Sequence, residues 1–244
     1  MKSFLRRMLP KRWLALRANA EERHRHKKYR GLSAAQVFSR IYADQEWGSK
    51  VDAGFYSGRG SHDPDIVAPY LQAVRDYLLR LQDKPVIVDL GCGDFNVGKH
   101  FVELAKKYYA CDIVPELQEQ NRKIFSDKNL QFLCANIIEE PLPDGDVVFI
   151  RQVLQHLSNA QISEIIRKCA KYDAWIVTEH LPSGESFLPN IDISAGSGIR
   201  LLQKSGVVLT APPFNMNGYR TTVLCQIPFG NDVIRTTLFE RTPP

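Results

Sequence analysis

What this 244-residue chain lacks narrows its class first. No stretch reaches the ~18 consecutive apolar residues of a membrane-spanning helix, so none is expected. The first residues are basic, but no long apolar segment or small-residue cleavage site follows them. A secretory leader is therefore not expected, and the expected location is the cytoplasm. The five cysteines, Cys92, Cys111, Cys134, Cys169 and Cys225, are scattered, odd in number and free of any C-x-x-C pair. That argues against a disulfide framework or a zinc site and for reduced, mostly buried thiols. Glu179, His180 and Asp192 are metal-ligand types without a ligand spacing, so no metal is expected. There is no internal repeat.

Acidic residues are scarce in one place. Residues 1–30 carry 11 Lys and Arg against Glu21 and Glu22, a net of +9, while the other 214 residues carry 21 basic and 25 acidic groups, a net of −4. The positive charge sits in an arm and not on the body, which points to an anionic partner for the arm. In "MKSFLRRMLPKRWLALRANA", Leu5, Met8 and Leu9 fall on one helical face and cations on another, with a break or new start at Pro10. Three readings stand. The arm can lie on an anionic membrane surface, such as the inner face of the inner membrane. It can be a solvated or core-docked helix with a basic hinge. It can bind RNA, although it lacks an aromatic stacking motif.

The rest reads as alternating elements. Ser33 caps a short helix beginning "SAAQVF", and "GFYSGRGSHDP" (54–64) is a Gly/Ser loop suited to a lid. Apolar spacing at Val67, Leu71, Val74, Leu78 and Leu81 predicts a core-packed helix over 65–82. From Pro85, strands at 86–90, 108–114 and 130–136, a strand then a turn over 145–157, and a strand at 174–180 alternate with helices at 97–107, 115–125 and 159–172. A further helix is expected near "SGIRLLQKSG". "TTVLCQIPF" and "DVIRTTLFE", joined by "GND", read as an antiparallel hairpin. The expected fold is α/β, a doubly wound, mostly parallel sheet with that hairpin at one edge. Residues 1–32 form the basic extension, 33–84 a helical cap and lid loop, and 85–244 the core.

In such folds ligands bind beyond the carboxyl ends of the strands. "VDLGCGDF" (88–95) occupies the first of these ends, where Gly91 and Gly93 allow a tight turn and close backbone approach. A dinucleotide fingerprint wants a third glycine at position 96, which is Asn96, and Asp94 would sit poorly beside a pyrophosphate. Asp112 ends the second strand 19 residues after Gly93. Asn136 ends the third, Asp146 opens the fourth, and "RQVLQHLSN" follows.

This series resembles the class I S-adenosylmethionine-dependent methyltransferases, whose first motif is D/E-x-G-x-G. The resemblance covers about Pro85 to Glu240 and implies a seven-stranded Rossmann-like sheet with S-adenosyl-L-methionine as cofactor. It implies that Asp89 orients the turn and reaches the methionine amino group, that Gly91 and Gly93 pack under the methionyl moiety, and that Asp112 binds the ribose. Ile113, Asn136 and Ile137 would border the adenine. Asn136 departs from the family's usual Asp. The segments "IYADQEWG", "SGRGS", "RQVLQHLSN", "TEH" and "PPF" together look like a bacterial subgroup associated with polysaccharide biosynthesis.

Each role has a structural alternative. Asp89 can cap the strand end, and Asp94 can cap the next helix. His156 is the leading general base for a hydroxyl acceptor, or a packing histidine. Glu179 and His180 would face the same rim and bind acceptor or act as base. Arg151 would contact the cofactor or an acidic acceptor, or pair with a structural carboxylate. Trp47 and Tyr56 can stack on a ligand or pack in the core. Asn190, Asp192 and Arg200 fall in a long loop suited to acceptor selection. The resulting reading is methyl transfer to an oxygen of a sugar, glycan-related or other small-molecule acceptor. A nucleic-acid methyltransferase is the less favoured rival, because no D-P-P-Y or N-P-P-Y tetrapeptide is present. A non-catalytic cofactor-binding module is the other rival.

Overall fold

The computed structural model describes residues 20, 23–24, 27–49, 54–184 and 186–242. Of the amphipathic arm expected over residues 1–20, residues 1–19 lie outside them. Among the described residues, the helices that flank the sheet and its cap are α1 (Ala34–Ala43), α2 (Pro64–Leu78), α3 (Pro115–Ile124) and α4 (Asn159–Cys169). Seven strands are β1 (Val86–Leu90), β2 (Lys107–Asp112), β3 (Leu130–Cys134), β4 (Val147–Arg151), β5 (Ala174–Pro182), β6 (Tyr219–Phe229) and β7 (Asp232–Arg241). They form one sheet in the order β3-β2-β1-β4-β5-β7-β6. β1 to β5 run parallel, and β7 enters antiparallel between β5 and β6. The order reverses between β1 and β4, and such a switch point opens a crevice at the carboxyl edge.

Local sequence explains the elements. Ser33 and Ser158 each close a capping box, with Gln36 and Gln161, at the starts of α1 and α4. Asp63 caps α2, whose first residue is Pro64. α2 starts early enough that Pro69 falls inside the helix and not in its first turn. Period-two alternation sorts β1: Ile87 joins the core under α2, while Val88 and Leu90 join the core under α4.

Some expectations change. The helix expected over 97–107 is a 3₁₀ segment, Gly98–Leu104, without a side-chain cap at its start. Glycine at its first position and the absent cap both disfavour a longer α-helix. The helix near "SGIRLLQKSG" is likewise one 3₁₀ segment, Arg200–Gln203. β3 stops at Cys134, so Asn136 lies past the strand end. Asp146 sits at the opposite sheet edge from the glycine turn and accepts from the Val86 amide at 2.7 Å. Tyr29, assigned by sequence to the extension, is buried against Val37 and Ile41. All five thiols are free, but only Cys111 and Cys169 are buried; Cys92 and Cys225 are half-buried and Cys134 is exposed.

Candidate active site

The glycine turn begins where β1 ends. The amides of Gly91 and Cys92 both donate to the Cys111 carbonyl, at 2.8 and 2.9 Å, which folds the chain across the tip of β2. Gly91 and Gly93 take positive φ of 78° and 57°. Space is as restrictive as conformation. A Cβ on Gly91 would lie 2.4 Å from a Val153 methyl, and one on Gly93 would lie 2.4 Å from Ser57 Oγ. Asp112 then binds the turn: its carboxylate accepts from the amides of Gly93 at 3.0 Å and Val114 at 3.1 Å. Burial pushes the Asp112 carboxyl up, against those backbone hydrogen bonds.

Over this turn lies a cavity of about 380 Å³, within the size range of small-molecule sites. Asp89, Gly91, Gly93, Asp112, Ile113, Asn136, Ile137, Arg151, His156 and His180 all line it. Asp89 shares its face of β1 with Ile87 and accepts from the Tyr108 hydroxyl at 2.9 Å. Burial pushes its carboxyl up to about 7, partly opposed by Tyr108 and the Arg151 guanidinium. Asn136 keeps its side-chain oxygen on the Ile138 amide at 3.0 Å.

Loop 54–63 is closed down as a strap. The Asp94 amide donates to Ser57 Oγ at 2.8 Å, and the Ser57 amide returns a bond to the Asp94 carboxylate at 3.2 Å. His62 Nε2 lies 2.5 Å from the same carboxylate. Asp94 therefore anchors the strap and does not cap a helix. Despite burial, His62 and the amides of Ser57 and Asn96 hold its carboxyl below the usual range. Arg151 reaches the strap from β4, donating to Ser61 Oγ at 3.0 Å and to the Gly60 carbonyl, with its guanidinium 4.9 Å above the Tyr70 ring. Its partners are thus the strap and Tyr70, and among the described residues no carboxylate pairs with it directly. Gln152 lies beneath: a Cβ on Gly60 would meet its Oε1 at 2.2 Å.

The far wall carries the histidines. His156 ends the short 3₁₀ turn Leu154–His156 after β4. Its Nδ1 lies 3.2 and 3.3 Å from the carbonyls of Gly196 and Gly198. Carbonyls only accept, so Nδ1 carries the proton. Gln155 Oε1 accepts from the His180 amide at 3.2 Å, which turns the Gln155 nitrogen toward His156 Nε2, also at 3.2 Å. The Trp47 ring packs 5.1 Å from the imidazole.

His180 and Glu179 part company. Successive β5 residues face opposite sides of the sheet. His180 faces the cavity against Phe229, with rings 4.9 Å apart, and its buried Nε2 has no partner. Burial pulls it down to about 4, so it is neutral at physiological pH. Glu179 does not line the cavity. It is buried on the other face, where burial pushes it up to about 8 against the Arg200 charge and the amides of Leu154 and Gln155. The expectation that both residues face one rim is corrected by this alternation. Arg200 is not an acceptor contact either. It is fully buried and donates to the carbonyls of Ile191 and Leu157 at 2.8 Å and to Asn159 at 3.0 Å, tying the long loop to the His156 turn. Asn190 also serves that loop, donating to the carbonyls of Val208 and Pro212 at 2.9 Å. Asp192 accepts from the Asn159 amide at 2.7 Å. Tyr56 stacks on His62, and Trp47 packs between Phe38 and Tyr42.

Sequence reasoning passed over Ser57, His62, Gln155 and Phe229. The "SGRGS" glycines marked the loop that holds the first two. Gln155 lies in "RQVLQHLSN", but its tie to His180, like the packing of Phe229 on that ring, depends on residues far along the chain. Among the described residues no His/Cys/Asp/Glu cluster could hold a metal ion.

Comparison with known proteins agrees with this fold. Residues 88–173 match the family model of a methyltransferase domain. No curated protein sequence matches the chain. Among solved structures, the N-methyltransferase NodS from Bradyrhizobium japonicum WM9, bound to S-adenosyl-L-homocysteine, superimposes with a TM-score of 0.58 at 13% identity, covering 83% of this chain and 99% of that one. The N-terminal domain of EvdMO1, solved in the presence of S-adenosylhomocysteine and D-fucose, gives 0.51 at 12% identity, covering 86% and 98%. Human N-acetylserotonin methyltransferase in complex with S-adenosylmethionine gives 0.50 at 16% identity, over 90% of this chain. The chain spans only 62% of the length of that enzyme.

Proposed function

We propose that this S-adenosylmethionine-dependent methyltransferase delivers its methyl group to a hydroxyl oxygen of a sugar or glycan-related acceptor. The observation that carries this reading is the far wall of the cavity. It carries Trp47, Phe229 and a neutral His180 whose buried Nε2 has no partner among the described residues, and its cation, Arg59, stands 5.0 Å over the Phe229 ring paired with Asp63. An orphaned buried donor or acceptor is costly, and a hydroxyl group satisfies it in either tautomer. Aromatic faces beside such groups suit a polyhydroxylated ligand better than a flat apolar ring. The D-fucose present with EvdMO1, a neighbour in fold, is consistent with this choice. So is the sequence likeness to a polysaccharide-associated subgroup.

The near wall suits the cofactor. Gly91 and Gly93 leave a floor where any Cβ would collide. The Asp112 carboxylate, already oriented by two amides, would accept from ribose hydroxyls. Ile113, Asn136 and Ile137 would border the adenine. Asp89 would meet the methionine ammonium, and Arg151 would serve the cofactor indirectly, by holding the strap over it. When bound, S-adenosylmethionine supplies an activated methyl group on a sulfonium. The chain's own task is to align the acceptor, exclude water under the strap, and remove one proton. With Nδ1 protonated, His156 offers Nε2, and the acceptor hydroxyl would replace the Gln155 amide there and pass its proton to it. His180 would hold a neighbouring hydroxyl. Glu179 takes no part in this scheme.

Binding of S-adenosylhomocysteine by calorimetry, followed by methyl-transfer assays on neutral sugars, sugar nucleotides and lipid-linked glycans, tests the assignment. Turnover confined to amine or nucleic-acid acceptors would overturn it. We further propose that the basic arm engages an anionic membrane surface. No helix among the described residues is long and apolar enough to cross a membrane. The net +9 of residues 1–30 instead fits peripheral attachment of a −4 body.

A further inference from the structure

Glu46 lies outside the set of residues that line the cavity, yet it joins three parts of the chain. Its Oε1 accepts from Lys28 Nζ at 2.6 Å and from the Tyr29 hydroxyl at 2.5 Å. Its Oε2 accepts from the Ser197 hydroxyl. Burial disfavours the carboxylate, but the bonds from Lys28, Ser197 and Tyr29 outweigh it and keep Glu46 ionised. Ser197 stands between Gly196 and Gly198, the two residues whose carbonyls hold His156 Nδ1. The Gly196 amide also donates to the His156 carbonyl at 3.0 Å. Trp47, next to Glu46, covers the imidazole face. One carboxylate thus ties down the loop whose carbonyls hold His156 Nδ1, and the next residue packs its ring against the imidazole.

We propose that Glu46 is a positioning residue for His156. By tethering Ser197 it fixes the Gly196 and Gly198 carbonyls, and so keeps the Nδ1–H tautomer and aims Nε2 into the cavity. The proposal rests on the reading of His156 as the base. It also makes Lys28 and Tyr29, at the end of the basic extension, part of the support of the catalytic wall. Charged hydrogen bonds of this kind are stronger than neutral ones, so loss of the carboxylate matters more than loss of its shape.

The test uses the full-length protein with S-adenosylhomocysteine bound, and nitrogen-15 NMR of the His156 imidazole. Wild type is expected to show one tautomer, protonated at Nδ1. Glu46→Gln and Ser197→Ala are expected to give a tautomer mixture and about tenfold faster solvent exchange of the Nδ1 proton. Glu46→Asp is expected to recover part of the wild-type signal. S-adenosylhomocysteine affinity is expected to stay within about twofold, because the cofactor wall is untouched. Wild-type imidazole signals in both Glu46→Gln and Ser197→Ala would overturn the proposal. Should Glu46→Gln fail to fold, Ser197→Ala alone decides. A fully active His156→Ala would remove the base reading but leave this tautomer measurement standing, so the two failures are separable.

Discussion

His62 Nε2 and Asp94 Oδ2 lie 2.5 Å apart, with both side chains largely buried. The contact joins the strap to the residue directly after the glycine turn. Asp94 also grips Ser57, and Ser57 is the residue a Cβ on Gly93 would strike. The strap is thus latched at two points to the residue that follows the glycine turn.

Breaking the latch is expected to speed cofactor exchange. In His62→Ala, S-adenosylhomocysteine should dissociate about tenfold faster, corresponding to ~1.4 kcal/mol of lost closure. Stopped-flow fluorescence of Trp47, which lines the same cavity, reads this directly. An unchanged off-rate would show that the strap does not gate release.

Gly93→Ala is expected to disturb the same junction by another route. The residue combines φ of 57° with a Cβ position 2.4 Å from Ser57 Oγ. A cost of about 2 kcal/mol is expected, split between backbone strain and displacement of Ser57. Denaturant unfolding would measure it, and cofactor affinity should fall in parallel.

Cofactor affinity should depend on pH through Asp89. Burial raises its carboxyl to about 7 from the usual 3.8. The ionised form is the one that would meet the methionine ammonium. Affinity for S-adenosylhomocysteine should therefore be flat above pH ~7 and fall about tenfold per unit below it. Asp89→Asn should be weak throughout and lack the slope. For stability the sign is opposite. The folded state holds a proton that the unfolded chain has released, so Asp89 lowers stability as pH rises from about 4 to about 7.

Glu179→Gln should leave turnover within about threefold of wild type, because the residue faces away from the cavity. Its carboxyl is raised to about 8 from 4.5, so the native carboxylate costs stability as pH rises across that window. The Gln variant should lose that decline in thermal unfolding followed against pH. Arg200→Ala should instead cost about 3–5 kcal/mol, since it empties a buried, fully bonded charge site.

Much of this protein was legible in its sequence because the relevant signals are local. Strand–helix alternation gave the sheet, and "VDLGCGDF" with Asp112 marked the carboxyl edge where the cavity lies. What stayed hidden depends on the pleat or on distant partners. Adjacent residues Glu179 and His180 read alike in sequence, and only the facing of β5 separates them. His62, Gln155 and Glu46 are unremarkable polar residues until Asp94, His180 and Ser197 are brought to them. The true boundary of the arm was hidden for the same reason: Tyr29 and Lys28 belong to the body through Glu46.

That boundary changes how membrane attachment is tested. Removing residues 1–30 would also remove two ligands of Glu46, so the deletion should stop at residue 26. The full chain is expected to sediment with anionic liposomes at low salt and to release as salt rises. The 1–26 deletion should stay in the supernatant with S-adenosylhomocysteine affinity intact. Equal, salt-insensitive partitioning of both proteins would exclude the arm as the anchor.

The insertion of β7 between β5 and β6 bears on how the chain is made. While synthesis proceeds from the N-terminus, β1 to β5 can pair as they emerge. β5 then keeps one bare edge until Asp232–Arg241 has been produced, and that edge includes His180. A bare strand of this length is a template for pairing with other chains. A nascent or truncated chain ending before residue 232 therefore has an unfinished cavity wall and an aggregation-prone margin at the same place. The last strand to be made both completes the site and silences that edge.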